Sequence, residues 1–408
     1  MRTIRLFTAM TGILVIALIS NVLAQDWPQW RGADRDGKVS GFNAPKTWPA
    51  ELTRQWTVTV GLGDASPVMA EGKIYTFTLL QNNEIVECLD SETGKEIWKY
   101  QYPALAITGP ASSLHPGPRS TPVVGKGRIV TLGIGGVLGC LDASNGKLIW
   151  KNEEYTKDLP PFFTSLSPLI FNGMCFVHLG GKDMGELIAF DLLTGKPIWQ
   201  SPGDAPSYAS LTMMTIEGKK QLIDLTAKNL EGINPESGKV LWQIPVLTEF
   251  RYYNSATPVI DGENVIITGQ GQGTRAVIIQ KQDDQYVVKE LWKNGELGTK
   301  WNTPVLKDGF LYGLSDGRKL FCMNATTGQT AWIDSKLHND FGTIVDAGSV
   351  IIALPQTSNL VAFKPDAKGY TEVALIKVAE SPTYSYPILS GNKVFIKDKD
   401  SLSMMVVK

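Results

Sequence analysis

Histidine is scarce in this chain, and cysteine nearly as scarce: three of one and four of the other in 408 residues. His115, His178 and His338 stand far apart, without a His-x-x-x-His pair or a Cys-His spacing, so the sequence offers no zinc pattern. A Gly-x-Ser-x-Gly elbow is also missing, which removes the commonest framework for a serine nucleophile. Neither sign of charge dominates, with 39 Lys and Arg against 40 Asp and Glu. The basic residues are scattered and form no footprint for nucleic acid or acidic lipid, and neither is expected as a partner. After residue 24 no apolar run is long enough to span a bilayer, so no integral membrane segment is expected in the mature chain.

The one sustained apolar run covers residues 10–19, behind Arg2 and Arg5 and ahead of Val22-Leu23-Ala24. It is shorter than the roughly 20 residues a bilayer demands and reads as the core of a secretory signal peptide over 1–24, cleaved before Gln25. No Cys follows that site to carry a lipid. The mature chain, 25–408, is therefore expected to be soluble and monomeric, either periplasmic or secreted.

What is abundant is repetition. Cys88-Leu89-Asp90 leads to Thr93-Gly94-Lys95 and Trp98, and Cys140-Leu141-Asp142 leads to Asn145-Gly146-Lys147 and Trp150. The phrase returns with Asp191, Gly195 and Trp199, with Asn234, Gly238 and Trp242, and with Asn324, Gly328 and Trp332. A period of roughly 40–50 residues in a strand-rich sequence predicts an all-β propeller. Asp or Asn bonds its own backbone two residues on, and Gly takes the positive φ of the turn. The Trp supplies an apolar plate for the neighbouring blade. Cys88, Cys140 and Cys322 share a repeat position with Ala189, Gly232 and Ala362, so smallness explains them better than disulfides; Cys175, in an apolar strand, reads the same way.

Each repeat opens with Ser or Thr before Pro or an aliphatic residue: Ser66, Thr121, Ser167, Ser210, Thr257, Thr303 and Thr343, with Tyr386-Pro387 as an eighth opening. The fifth copy has Gln282-Asp283-Asp284 at its turn but keeps Trp292, and the seventh puts Ile376 in place of Trp. The last repeat has only three strands before Lys408, and residues 52–60, carrying Trp56, supply the missing outer strand. The expected fold is an eight-bladed propeller whose ring closes by pairing an N-terminal strand with the C-terminal blade.

The phrase Leu-x-Ala-x-Asp-x-x-Thr-Gly-Lys-x-x-Trp resembles the tryptophan-docking repeat of the pyrroloquinoline quinone (PQQ) propellers. That superfamily includes quinoprotein alcohol dehydrogenases and BamB, the propeller of the outer-membrane β-barrel assembly machinery. Asp26-Trp27-Pro28-Gln29-Trp30-Arg31-Gly32 resembles the leader of exported PQQ-like repeat proteins. The dehydrogenases carry adjacent, disulfide-bonded cysteines beside the quinone, and some add a haem domain; here no two Cys are adjacent and no Cys-x-x-Cys-His occurs.

Because the repeated residues build the fold, a ligand site is expected among unrepeated ones. Three residues before each opening Pro or its equivalent stand Asp64, Arg119, Ser165, Tyr208, Ser255, Trp301, Phe341 and Tyr384, all on the mouth where the inner strands begin. Asn254, Lys300, Asn302 and Asp340 neighbour them. This mixture suits a polar-ligand pocket as readily as a funnel of mutually paired side chains. If the resemblance extends to PQQ and calcium, Trp301 would stack on the quinone, Arg119 would meet its carbonyls, and Asn254 with Asp64 would supply the metal ligand and the base. Alanine at Arg119 or Trp301 should leave folding largely intact if both line a pocket. The longest connection, residues 100–120, contains His115-Pro116-Gly117-Pro118 and reads either as a lid on this mouth or as a plain surface excursion. Gly269-Gln270-Gly271-Gln272-Gly273 lacks the helix and Gly-Lys-Ser/Thr of a phosphate loop and reads as a strand connection. The function expected is binding of a ligand or an envelope protein, with a PQQ- and Ca-dependent alcohol or sugar dehydrogenase as the alternative.

Overall fold

The computed structural model describes residues 26–248 and 253–408. The expected signal peptide lies outside the described residues. Eight four-stranded antiparallel sheets follow one another along the chain. The first comprises Val68–Ala70, Lys73–Leu80, Asn83–Asp90 and Glu96–Pro103, from the inner strand outward. The two middle strands are buried on both faces because a blade is covered on each side by its neighbours, which is why they read as apolar runs. The outer strand alternates, since it meets solvent. In the eighth sheet Thr53–Thr59 pairs antiparallel with Ser401–Val406, placing Trp56 opposite Met404, and the ring closes as expected.

The repeat phrase is a joint between blades. Trp98 Nε1 donates to the Ala143 carbonyl of the second blade at 3.1 Å, Trp150 to Leu192 at 2.9 Å, and Trp199 to Pro235 at 3.0 Å. Each indole lies on the turn glycine of the blade it reaches, so a Cβ on Gly94 would stand 2.8 Å from Trp56. Asp90 holds that turn by accepting from the Thr93 amide at 2.8 Å and the Thr93 hydroxyl at 2.7 Å. The small residue of each repeat lies across the ladder from its own blade's Trp, as Cys88 does from Trp98 and Cys140 from Trp150. All four thiols are buried and unpaired. Trp242 is different: the degenerate fifth turn gives it no carbonyl to reach, and its indole donates to Gln221 of its own blade at 2.7 Å. In the seventh blade Ala374, opposite Ala362, occupies the Trp position. The expectation of Ile376 there is corrected by two residues: Ile376 lies opposite Leu360, one pair further along the ladder on the same face.

Six of the Ser and Thr that open the repeats, together with Tyr386, form a girdle round the axis that Thr343 of the seventh repeat does not join. The amide of Ser66 donates to the Thr121 hydroxyl, Thr121 to Ser167, Ser167 to Ser210, Ser210 to Thr257 and Thr257 to Thr303, at 2.9–3.2 Å. Tyr386 donates back to Ser66 at 2.9 Å. The leader fills the axis beneath this girdle from the opposite mouth. Its Trp27 bridges Met69, Lys38 bridges Asp346 and Phe42 bridges Gly391, all at the far ends of inner strands. Arg31, 1% exposed, donates to the carbonyls of Thr303 and Pro304 and to the Tyr386 hydroxyl. Arg35 reaches the carbonyls of Ser167 and Pro168. Burial pushes the Arg35 guanidinium down to about 9, with Arg31 adding repulsion.

Candidate functional site at the inlet mouth

The leader makes the axis a blind funnel, open only where the inner strands begin. Connections between blades and the turns between second and third strands share this inlet mouth, whereas the Asp-x-x-Thr-Gly turns lie at the other end. Residues 104–122 cross the inlet and contain a one-turn helix, Pro110–Leu114. His115, just beyond it, bonds Asp64 through Nδ1 at 2.8 Å. Its ring packs edge-on against Tyr384 of the eighth blade, 4.9 Å between centroids, and lies 5.5 Å from Phe341 at the seventh. The segment thus spans from the first blades to the last, the placement a lid would have. The sequence placed His115 in a connection that could be a lid, but not beside Asp64, Phe341 and Tyr384, which are remote in the chain.

Arg119 holds this segment in place. Its guanidinium donates to the carbonyls of Ala111 at 2.9 Å, His115 at 3.1 Å and Phe162, and burial lowers its basicity. Tyr208 accepts from the Phe162 amide at 3.0 Å and packs edge-on with Phe162 and Tyr253 in one aromatic group. Across the funnel Trp301 lies parallel to Phe341, 5.8 Å apart at 8°. Lys300 Nζ sits 5.8 Å from the Trp301 ring centroid and 3.6 Å from Asp340. Residues 104–122 touch both aromatic groups, through the Arg119 bond to the Phe162 carbonyl and the His115 ring beside Phe341.

Other expected site residues turn away from the funnel. Asn254, buried, donates to the carbonyls of Thr226 at 2.9 Å and Val246 at 3.1 Å. Asn302 bonds the Leu314 backbone in both directions. The Ser165 hydroxyl donates to the Tyr208 carbonyl, and the Ser255 hydroxyl to the Lys300 carbonyl. Beside Asp64 stands a residue the sequence did not single out: Lys397, 2% exposed, donates to the Gly63 carbonyl at 2.6 Å and the Asp398 carbonyl at 3.1 Å. Burial pushes its ammonium down to about 8, against the pull of Asp64. An apolar strand ending in Lys was the only available signal.

A quinone with its calcium ion would need Arg119, Asn254 and Asp64 to direct free groups into one space beside Trp301. Arg119 is engaged by backbone carbonyls, the Asn254 Oδ1 that would meet calcium accepts from Gln272 at 3.3 Å, and Asp64 is bonded by His115, so these residues do not fit that group. Among the described residues, no set of three or more His, Cys, Asp or Glu is placed to hold a metal ion.

Comparison with known proteins adds the family. The chain is 25% identical over 370 residues to the outer membrane protein assembly factor BamB of Burkholderia pseudomallei, covering 86% of each. It is 28% identical over 147 residues to the quinohemoprotein alcohol dehydrogenase ADH IIB of Pseudomonas putida, but that stretch is 35% of this chain and 21% of the dehydrogenase. Among solved structures, BamB from Moraxella catarrhalis superposes with a TM-score of 0.62 at 14% identity, covering 88% of this chain and 98% of that one. Quinohemoprotein alcohol dehydrogenase from Comamonas testosteroni gives 0.69 at 12% identity, covering 93% and 80%. At such identities the structural likeness speaks for the fold alone. The family model described as outer membrane protein assembly factor BamB matches residues 81–334, more than half of the sequence, and the chain belongs to that family of PQQ-like propellers.

Proposed function

We propose that this chain is an exported, periplasmic interaction module that binds a protein of the cell envelope through its inlet mouth. The observation that carries the reading is the distribution of exposed apolar side chains. Leu80, Leu105, Leu114, Phe162, Met184, Leu247, Trp301 and Leu337 are all exposed, and all lie in inlet connections or at the inlet ends of strands. Of the remaining exposed large apolar residues described, Ile97, Ile149, Ile198, Leu291, Ile333 and Leu375 lie on outer strands, and Leu193 alone sits at the opposite end. Scattered exposed apolar residues need no explanation, but their concentration on one rim of a funnel supports a docking surface. Family membership supports the same reading, as does the length shared with an outer membrane protein assembly factor.

A photo-reactive side chain placed at Leu114 or Leu337 should form discrete protein adducts in envelope preparations, and one placed at Leu193 should not. Equal labelling from both ends would refute an inlet-specific interface. Turnover in a dye-linked assay after loading with PQQ and Ca²⁺ would replace this reading with an oxidoreductase.

A further inference from the structure

Between the fourth and fifth blades, at the outer part of the inlet side, lies a cavity of about 370 Å³. Its size falls in the range of small-molecule sites. Val246, Leu247 and Ile267 give it an apolar lining, the glycine-rich connection at Gly271 forms one edge, and Arg275 and Lys293 bring two cations. Among the described residues, no acidic side chain lines it.

The two cations are a physical anomaly. Arg275 and Lys293 are direct cross-strand partners in the Gly273–Gln282 and Gln285–Asn294 pair, so they stand side by side on one face of the sheet. Like charges directly opposite one another destabilise an antiparallel pair. Arg275 is partly relieved, donating to the Pro245 carbonyl at 2.8 Å, with Glu290 3.9 Å away on the exposed side. Lys293 has no ion pair among the described residues. Ile267 pairs with Arg275 from the other side, so an apolar surface adjoins the doubly charged one.

We propose that this cavity binds a small amphipathic carboxylate, its apolar body against Val246, Leu247 and Ile267 and its carboxylate between Arg275 and Lys293. The ligand supplies the counter-charge that Lys293 lacks among the described residues, and a charge-assisted bond to each cation fixes its orientation. The site adjoins the docking rim at Leu247, but its charged part, Arg275 and Lys293, lies outside that rim.

Calorimetric titration of the whole chain with 3-phenylpropanoate, with 3-phenylpropanamide as the neutral control, tests the proposal. Saturable binding of the acid is expected, with the amide and the Lys293→Gln variant each weaker by about tenfold or more. Lys293→Glu sets an acid opposite Arg275 and should abolish binding while raising the melting temperature of the free protein. The proposal is overturned if the acid does not saturate, if the amide binds equally well, or if Lys293→Gln leaves affinity unchanged. A lower melting temperature for Lys293→Glu would remove the charge-strain argument and the proposal with it.

Discussion

Gly146 has two independent reasons to lack a side chain. Its φ is 73°, and a Cβ there would run into the Trp98 indole docking from the first blade. Gly146→Ala combines a left-handed backbone penalty with overpacking and should cost about 2–4 kcal/mol, read as a shift in a urea unfolding midpoint. The turn glycine and a Trp docking on the next blade were legible in the sequence, but that the indole lands on this glycine was not, because the two belong to different blades. Arg119 and Trp301 show the same divide. Both read as pocket residues, yet Arg119 satisfies three carbonyls whereas Trp301 is 37% exposed. Arg119→Ala should destabilise by about 1–3 kcal/mol, and Trp301→Ala by no more than about 0.5 kcal/mol. Parallel thermal melts check the contrast, and equal losses would show that Trp301 is also structural.

Where the third and fourth blades meet, the strands Met174–Gly180 and Lys219–Leu225 bring His178 and Asp224 together, 2.6 Å from Nδ1 to the carboxylate. His178 Nε2 faces the Asp204 carbonyl at 3.0 Å, so both ring nitrogens meet acceptors. Burial alone would lower the imidazole, but Asp224 and the Asp204 carbonyl outweigh it and hold it above its ordinary value. Glu231, opposite Asp224 in the ladder, is pushed up to about 7 by burial and by Asp224 and Asp204. Both groups bind their protons more tightly folded than unfolded. Their contribution is complete below the ordinary values and is lost as pH rises through the folded ones. The melting temperature should therefore fall between pH 5 and pH 8, and Glu231→Gln should flatten that slope. A wild-type melting temperature that rises over this range would contradict the assignment. Nothing in the sequence joined His178 to Asp224, since the cluster depends on how two blades are set side by side.

At the scale of the molecule, closure depends on one strand. Thr53–Thr59 covers the free edge of Ser401–Val406, and Trp56 joins the last blade to the first through the Ser91 carbonyl at 3.3 Å. A chain lacking residues 26–60 should expose that edge and associate, visible as high-mass species in size-exclusion chromatography with light scattering; a stable monomer would show that the ring tolerates opening. Eight blades, the closing strand and the joint chemistry were legible in the sequence because each repeat must solve the same local problem with the same residues. The leader Asp26-Trp27-Pro28-Gln29-Trp30-Arg31-Gly32 was legible only as a family mark. Its place as the plug of the axis, with Arg31 and Arg35 bonded to carbonyls of blades more than a hundred residues away, comes from the closed ring. The inlet was readable as the face carrying unrepeated residues. Which of them line it and which turn inward, Trp301 and Tyr384 or Asn254 and Asn302, only the tertiary structure decided. Repetition fixes what every blade shares, whereas a site is made by the differences between blades, and those acquire meaning only when the ring brings them together.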